Sequence, residues 1–561
     1  MSEQTEKQKI LSRLGQLKAE RASFYSHWQE LTVYILPRNG RYFVQDRNKG
    51  WKRNNNIYDN TGTRALRTLA AGLMGGLTSP ARPWFRLTTN DPSLQQTFAV
   101  KEWLAICTRT MLDIFQKSNT YRVLHSMYEE LGCFGTSVSI IADDFDNVIH
   151  LYPVTTGEYC IAQDFQGKPC AMYREFEKTV AELVKEFGID NVSNTVKSMY
   201  ERGSLDQWIT VIHAIEPRED RDPNMADSKN MPYKSVYYER GGDSQKPLRE
   251  SGFKSFRVLA PRWAVAGGDI YGNSPGMEAL GDIKQLQQEQ LRKSQGIDYM
   301  SNPPLQVPTA LKNRDVDRFP GGVTYYDPAG GSAGIKTMFE VQLDLAHLLN
   351  DIQDVRQRVQ GSFYADLFLM LQQDSADTRK TATEVAELHE EKMLMLGPVL
   401  ERLHNELLDP LISITFERML EAGVVPPPPP ELQGVNLNVE LVSMLAQAQR
   451  AISTNGIDRF VNGLGAIAGF KPEVLDKFDA DQWVDIYSDV LGVDPELIVP
   501  DDKVALIRQQ RAQAQAAAAK AQMMNQQADT AQKLASAPTQ NGNSNALNDV
   551  IGMYSGYDSP Q

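Results

Sequence analysis

Tyr271-Gly272-Asn273-Ser274-Pro275-Gly276 divides this 561-residue chain into two kinds of sequence. Pro275 and Gly276 suit the first turn of a helix, where a missing N–H costs nothing. The helix they open is expected to run to about Met300, and Asn302-Pro303-Pro304 stops it. It is unusually polar, with five Gln between Gln285 and Gln295. Residues 301–338 follow as a Pro- and Gly-rich stretch with short β-like pieces, among them Val323-Thr324-Tyr325-Tyr326. A second long helix is expected from Phe339 to about Gln360. Its apolar positions Val341, Leu345, Leu348, Ile352, Val355 and Val359 recur at spacings of 4, 3, 4, 3 and 4, which is a heptad seam. A buried amphipathic helix has the same pattern over a few turns. The polar neighbour favours a seam between copies, because two long helices with narrow apolar faces bury them most readily against copies of themselves in a ring.

Towards the C-terminus, residues 366–381 break the helical pattern. Thr381 and Glu384 form a capping box that opens a third long helix, to about Ala422, with kinks expected at Pro398 and Pro410. Pro426 to Pro430 is a stiff extended spacer. Residues 438–500 read as several short helices. Arg508 to Ala535 is rich in Ala and Gln and strongly helix-forming, and the tail beyond it has a disordered composition.

Towards the N-terminus the chain mixes helices and strands. Residues 7–36 read as a helix, with Leu11, Leu14, Leu17, Phe24, Trp28, Leu31 and Ile35 at helical spacing. A Gly- and Ala-rich helix spans Thr63 to Leu77, where small residues allow another backbone to approach closely. Two helices are expected at about 95–118 and 119–134. Thr136 to Tyr159 reads as a hairpin turning at Asp143 to Asn147. Residues 160–270 continue as strands with one helix at about 178–200.

Composition narrows the function. Lys plus Arg is 58 and Asp plus Glu is 71, so the formal charge is 58 − 71 = −13. A protein that grips nucleic acid through a broad surface needs clustered cations. An acidic wall instead repels phosphate and suits a conduit past which DNA slides. Cys107, Cys133, Cys160 and Cys170 make no C-x-x-C pair and have no His at zinc-finger spacing, which fits reduced thiols. The residues from Met1 to Ile10 lack the apolar core of a signal peptide, and no apolar run approaches the roughly 18–20 residues of a membrane span. A soluble protein with no membrane partner is expected.

The catalytic signals fail on inspection. Gly463-x-Gly465-x-x-Ala468 matches a dinucleotide fingerprint, but helix-like sequence precedes it where a strand is needed. There is no G-x-x-x-x-G-K-[ST]. Asp143, Asp144 and Asp146, with His150 as the base candidate nearby, carry the alternative of a metal-dependent nuclease. Acidic residues in a hairpin turn are far more often simply solvated. His389-Glu390-Glu391 lacks the second His of a zinc protease motif. No catalytic residue, metal or cofactor is expected. Arg379 and Lys380 lie directly before the capped helix. In one copy they are an ordinary exposed pair, but repeated around an axis they become a belt that touches phosphate without reading sequence.

The order of a Tyr-Gly-Asn-Ser-Pro-Gly opener, Asn-Pro-Pro, a Pro/Gly-rich excursion, a heptad helix, a broken loop and a proline-kinked helix resembles the portal, or head-to-tail connector, proteins of short-tailed bacteriophages. The stretch from Tyr58 to Pro80, followed by Pro83-Trp84-Phe85, looks like the same family. The resemblance covers roughly residues 5–530. It implies a mostly α subunit with a mixed α+β wing, in a homo-oligomeric ring of about twelve at one capsid vertex of the virion, assembled in the host cytoplasm. It implies a wing over 1–270, stem helices over 271–300 and 339–361, a clip over 301–338 and a tunnel loop over 362–381. A kinked wing helix and proline spacer over 382–430, a helical crown over 431–535 and a disordered tail over 536–561 complete the layout. Arg379 and Lys380 are then the expected contacts to double-stranded DNA. Lys312, Arg314 and Arg318 are the clip cations expected to face the motor and tail. The implied partners are the terminase large subunit, a tail adaptor, scaffold and the major capsid protein. A different head–tail structural protein is the alternative.

Overall fold

The computed structural model describes residues 5–45, 56–89, 97–225, 227–242, 245–303, 345–372, 396–432, 437–442, 477–491 and 501–536, with short pieces elsewhere. Residues 1–476 form one compact unit and 477–561 a second.

Helix α1 (Glu6–Tyr34) begins with a capping box between Thr5 and Gln8. Its stripe of Ile10, Leu14, Leu17, Trp28 and Leu31 is buried, as the spacing requires. Helix α2 (Thr61–Leu77) leads through a turn to strand β1 (Phe85–Thr89). Helices α3 (Phe98–Lys117) and α4 (Thr120–Phe134) follow, and Gly135 ends α4 in the left-handed conformation at φ +77°. The expected hairpin is strands β2 (Val138–Asp144) and β3 (Val148–Val154), paired antiparallel.

Strands β4 (Tyr159–Gln163) and β5 (Pro169–Thr179) begin a second sheet. The single helix expected at 178–200 is two, α5 (Val180–Phe187) and α6 (Asn194–Glu201). Gly188 at φ +82° breaks the chain between them, and the Ser193 side chain caps α6 by accepting from the Val196 N–H. Strands β6 (Trp208–Pro217), β7 (Tyr233–Glu239) and β8 (Arg249–Phe253) complete an antiparallel sheet ordered β4-β5-β6-β7-β8. Strand β9 (Val258–Leu259) joins β2. One face of the five-stranded sheet packs on the start of α1, and the other packs on α5 and α6.

Helix α7 (Pro275–Ser301) starts where the sequence places it. The Ser274 hydroxyl accepts from the Met277 N–H at 3.0 Å and donates to the Cys133 carbonyl at 2.7 Å. A Cβ on Gly272 would lie 2.3 Å from the Gly135 carbonyl oxygen, so two backbones touch here and only glycine fits. Short strands β10 (Leu305–Gln306) and β11 (Lys336–Thr337) pair beyond it. Helix α8 (Leu345–Ser362) comes next. The following stretch departs from expectation: residues 366–372, read as broken, belong to helix α9 (Ala365–Gln372). Its Leu, Met and Gln are good helix formers, and Leu367 and Phe368 anchor it in the core.

Residues 396–403 are helical and run into a π turn, His404–Leu408, and then helix α10 (Asp409–Glu421). Pro410 has no N–H to give and crowds the carbonyl four residues back, which accounts for the irregularity expected there. The turn carries Glu406, which holds the fully buried Arg262 at 2.6 Å. Strand β12 (Leu437–Leu441) pairs antiparallel with β1, with Phe85 opposite Leu441. Residues 437–441, at the start of the stretch read as short helices, are therefore a strand, because Leu437, Val439 and Leu441 alternate at strand period. The second unit contains helices α11 (Ala480–Leu491) and α12 (Asp501–Ser536), the latter exposed at its described side chains apart from the half-buried Val504.

Candidate functional site

The long helices α7 and α8 lie against each other, and both touch α2. The heptad positions divide between burial and exposure. Ile352, Val355 and Val359 are at most 1% exposed within the single chain, whereas Leu348 is half-buried. Val341 lies outside the described residues. Ile352, Val355 and Val359, expected at a seam between copies, are thus covered by their own chain. The physical reason lies in α7, which despite its glutamines buries Ala279, Leu280, Ile283 and Leu286. A Cβ on Gly62 of α2 would meet Ile283 at 2.9 Å, so the glycine lets α2 and α7 approach closely.

The glutamines of α7 have a specific partner, the turn before α2. Gln287 Oε1 accepts from the N–H groups of Tyr58 and Asp59 at 2.7 and 2.8 Å, and its Nε2 donates to the Asp59 carbonyl at 2.9 Å. The Asp59 carboxylate accepts from the Thr61 N–H at 2.8 Å, from Gln290 Nε2 at 3.1 Å and from Arg356 of α8 at 2.7 and 3.0 Å. Asp59 is 8% exposed. Burial alone would raise its pKa, but the hydrogen bonds from Thr61 and Arg356 and the positive charge of Arg356 outweigh it and hold the carboxyl below its usual value. One buried charge thus ties three elements, far apart in sequence, into one footing. Outer ion pairs, Arg358 with Asp282 at 2.8 Å and Lys284 with Glu30 at 2.7 Å, flank it.

The corner from α8 to α9 is equally defined. Tyr364 turns the chain in the left-handed region at φ +53°, its ring beside Trp263. The side chain of Phe368 then covers Gly72 of α2 so closely that a Cβ there would lie 2.2 Å from the ring. Sequence reasoning missed Asp59, Gln287, Arg356 and this seat, since only the small residues of α2 hinted at a close approach.

Arg379 and Lys380, and Lys312, Arg314 and Arg318, lie outside the described residues. Asp143 sits between Arg257 and Arg418, each at 2.8 Å. Asp144 accepts from the Asp146 N–H at 2.9 Å in a turn that leaves Phe145 fully exposed. His150 lies 3.4 Å from the Asn119 side chain. No group of three His, Cys, Asp or Glu residues able to hold a metal occurs among the described residues. No helix among them is long and apolar enough to cross a membrane.

The described residues form a mixed helical and sheet body that carries two long helices on a polar footing. Residues 7–499 match the family described as bacteriophage head to tail connecting protein, and the chain belongs to that family. It is 65% identical to the probable portal protein of Bordetella phage BPP-1, over 99% of this chain and all of that one. It is 47% identical to the portal protein of Salmonella phage epsilon15, over 97% of this chain and 98% of that one. Among solved structures, the neck of an empty gene transfer agent particle covers 81% of this chain and 96% of its own at 11% identity, with a TM-score of 0.37, too distant to carry an argument.

Proposed function

We propose that this chain is the portal subunit of a tailed bacteriophage, a structural protein of the virion placed at one capsid vertex. The observation that carries the reading is identity of 65% along the whole length of a relative described as a probable portal protein. About twelve copies form a closed ring in which each contact is repeated by rotation. Double-stranded DNA passes through the channel during packaging and ejection, without sequence specificity. The acidic balance of the chain supports low-friction passage.

In this reading α7 and α8 are the stem, 301–338 is the clip and 362–381 includes the tunnel loop. Arg379 and Lys380 touch the DNA backbone, and Lys312, Arg314 and Arg318 meet the terminase large subunit and later the tail adaptor. Scaffold and the major capsid protein surround the ring. The contact between neighbouring stems uses the apolar side chains the single chain leaves open. Leu349 on α8 is 41% exposed, and Ile297 and Met300 on α7 are 43% and 47% exposed. These replace Ile352, Val355 and Val359 in that role.

The test is complementation of a phage lacking its portal gene. Wild-type protein restores filled heads with a ring at one vertex. Replacement of Arg379 and Lys380 by Ala leaves rings intact and lowers filling. Normal filling by that double variant rejects the DNA-contact assignment, and absence of the wild-type protein from the vertex rejects the portal reading.

A further inference from the structure

We infer that the seat of Phe368 on Gly72 is the positioning contact that fixes where helix α9 ends, at Gln372, and so the point from which the following residues start. The inference rests on the portal reading, in which the cations beyond Gln372 meet DNA.

Three observations converge on the seat. Helix α2 is held at its start by the Asp59 footing and by Ile283 packed over Gly62. It is therefore a fixed base against which a neighbour can be registered. Helix α9 is a short element of eight residues that cannot hold its own position, because helices of that length are marginal alone. What holds it is Phe363, Ala365, Leu367 and Phe368, all at most 3% exposed. Finally, the aromatic ring occupies the space of a Cβ at Gly72, with Cγ and Cδ1 both 2.2 Å from where that atom would stand. Glycine inside a helix costs about 1 kcal/mol relative to alanine. Here it makes the notch that admits the ring.

The left-handed Tyr364 sets the direction of α9, and the seat sets its depth. Arg379 is seven residues beyond Gln372, so the root limits how far that cation reaches: about 24 Å for a fully extended chain. A shift of α9 moves the reach of every copy in the ring together. Phe368 and Gly72 therefore act on DNA only through the segment they position.

The test uses whole particles made by a portal-deficient phage supplied with variant protein. Gly72→Ala pushes the ring out of its seat. Rings of the wild-type copy number are expected, with filled heads reduced by about tenfold or more, within the roughly hundredfold loss that a 1 Å misplacement can cause at a positioned reacting group. Adding Phe368→Leu to Gly72→Ala removes the clash and restores most of the filling. Phe368→Leu alone loosens the seat and lowers filling less. If Gly72→Ala fails to form rings, Phe368→Leu decides: intact rings with reduced filling support the contact. Wild-type filling by Phe368→Leu together with wild-type filling, or no ring, for Gly72→Ala overturns it. A Gly72→Ala defect that Phe368→Leu does not relieve also overturns it. Failure of the wild-type protein to support filling is instead a failure of the portal reading.

Discussion

Asp59 and Glu130 are both buried carboxylates, at 8% and 6% exposure, yet their surroundings treat charge in opposite ways. Asp59 meets the guanidinium of Arg356, so its charged form is stabilised and its pKa lies below the usual value. Glu130 on α4 meets only neutral donors, the Thr155 hydroxyl, the Asn39 amide at 3.3 Å and the Thr156 backbone. Burial dominates there, those donors oppose it only partly and nearby Glu158 adds repulsion, so its pKa rises to about 7. Both carboxylates join segments far apart in sequence, and what separates them is the partner: a guanidinium keeps Asp59 charged, whereas neutral donors leave Glu130 near neutrality as a hydrogen-bonding group.

The comparison breaks most sharply at Asp59. Asp59→Ala leaves Arg356, Gln290 and the Thr61 N–H without their acceptor and is expected to cost about 3 kcal/mol, read by denaturant titration. A cost near zero would remove the footing from the account. The charge matters in one direction of pH. Since the folded pKa is lowered, Asp59 contributes stability above its unfolded value of 3.8, and the contribution is lost as pH falls through the folded value.

Glu130 has the opposite sign. Its folded pKa is raised, so between its ordinary value of 4.5 and about 7 the folded state keeps a proton that the unfolded state has lost, and stability falls as pH rises. Glu130→Gln is expected to remove that slope, gaining about 2 kcal/mol on wild type between pH 5 and 7. Parallel pH profiles for the two proteins would contradict the assignment. Gln287→Ala is a smaller change, about 1 kcal/mol, because it strips two backbone N–H groups of a neutral acceptor. On α12, Met523 is 66% exposed, and Met523→Ala is expected to change stability by less than about 0.5 kcal/mol.

Much of this was legible in the sequence where the cause is local. The Ser274 cap, Pro275 and the glycines of 272–276 mark the start of α7 because each meets a requirement within a few residues. The hairpin at 138–154 follows from alternation and an acidic turn. The heptad of α8 was legible as a pattern, but its partner was not. Periodicity says that Ile352, Val355 and Val359 must be covered, and not whether the cover comes from the same chain. The glutamines of α7 misled for the same reason: polarity suggested an unburied helix, whereas Gln287 and Gln290 are spent on Asp59, more than two hundred residues away. Strand β12 carried a readable alternation that the surrounding helical sequence masked, and its partner β1 lies at the other end of the unit.

Electron microscopy of the purified protein, paired with native mass, tests the central claim most directly. The account predicts a closed ring of about twelve copies around an open channel, with stem contacts repeated by rotation. A compact monomer or dimer that persists across salt concentrations, and that does not enter a ring when scaffold and capsid protein are supplied, would contradict it.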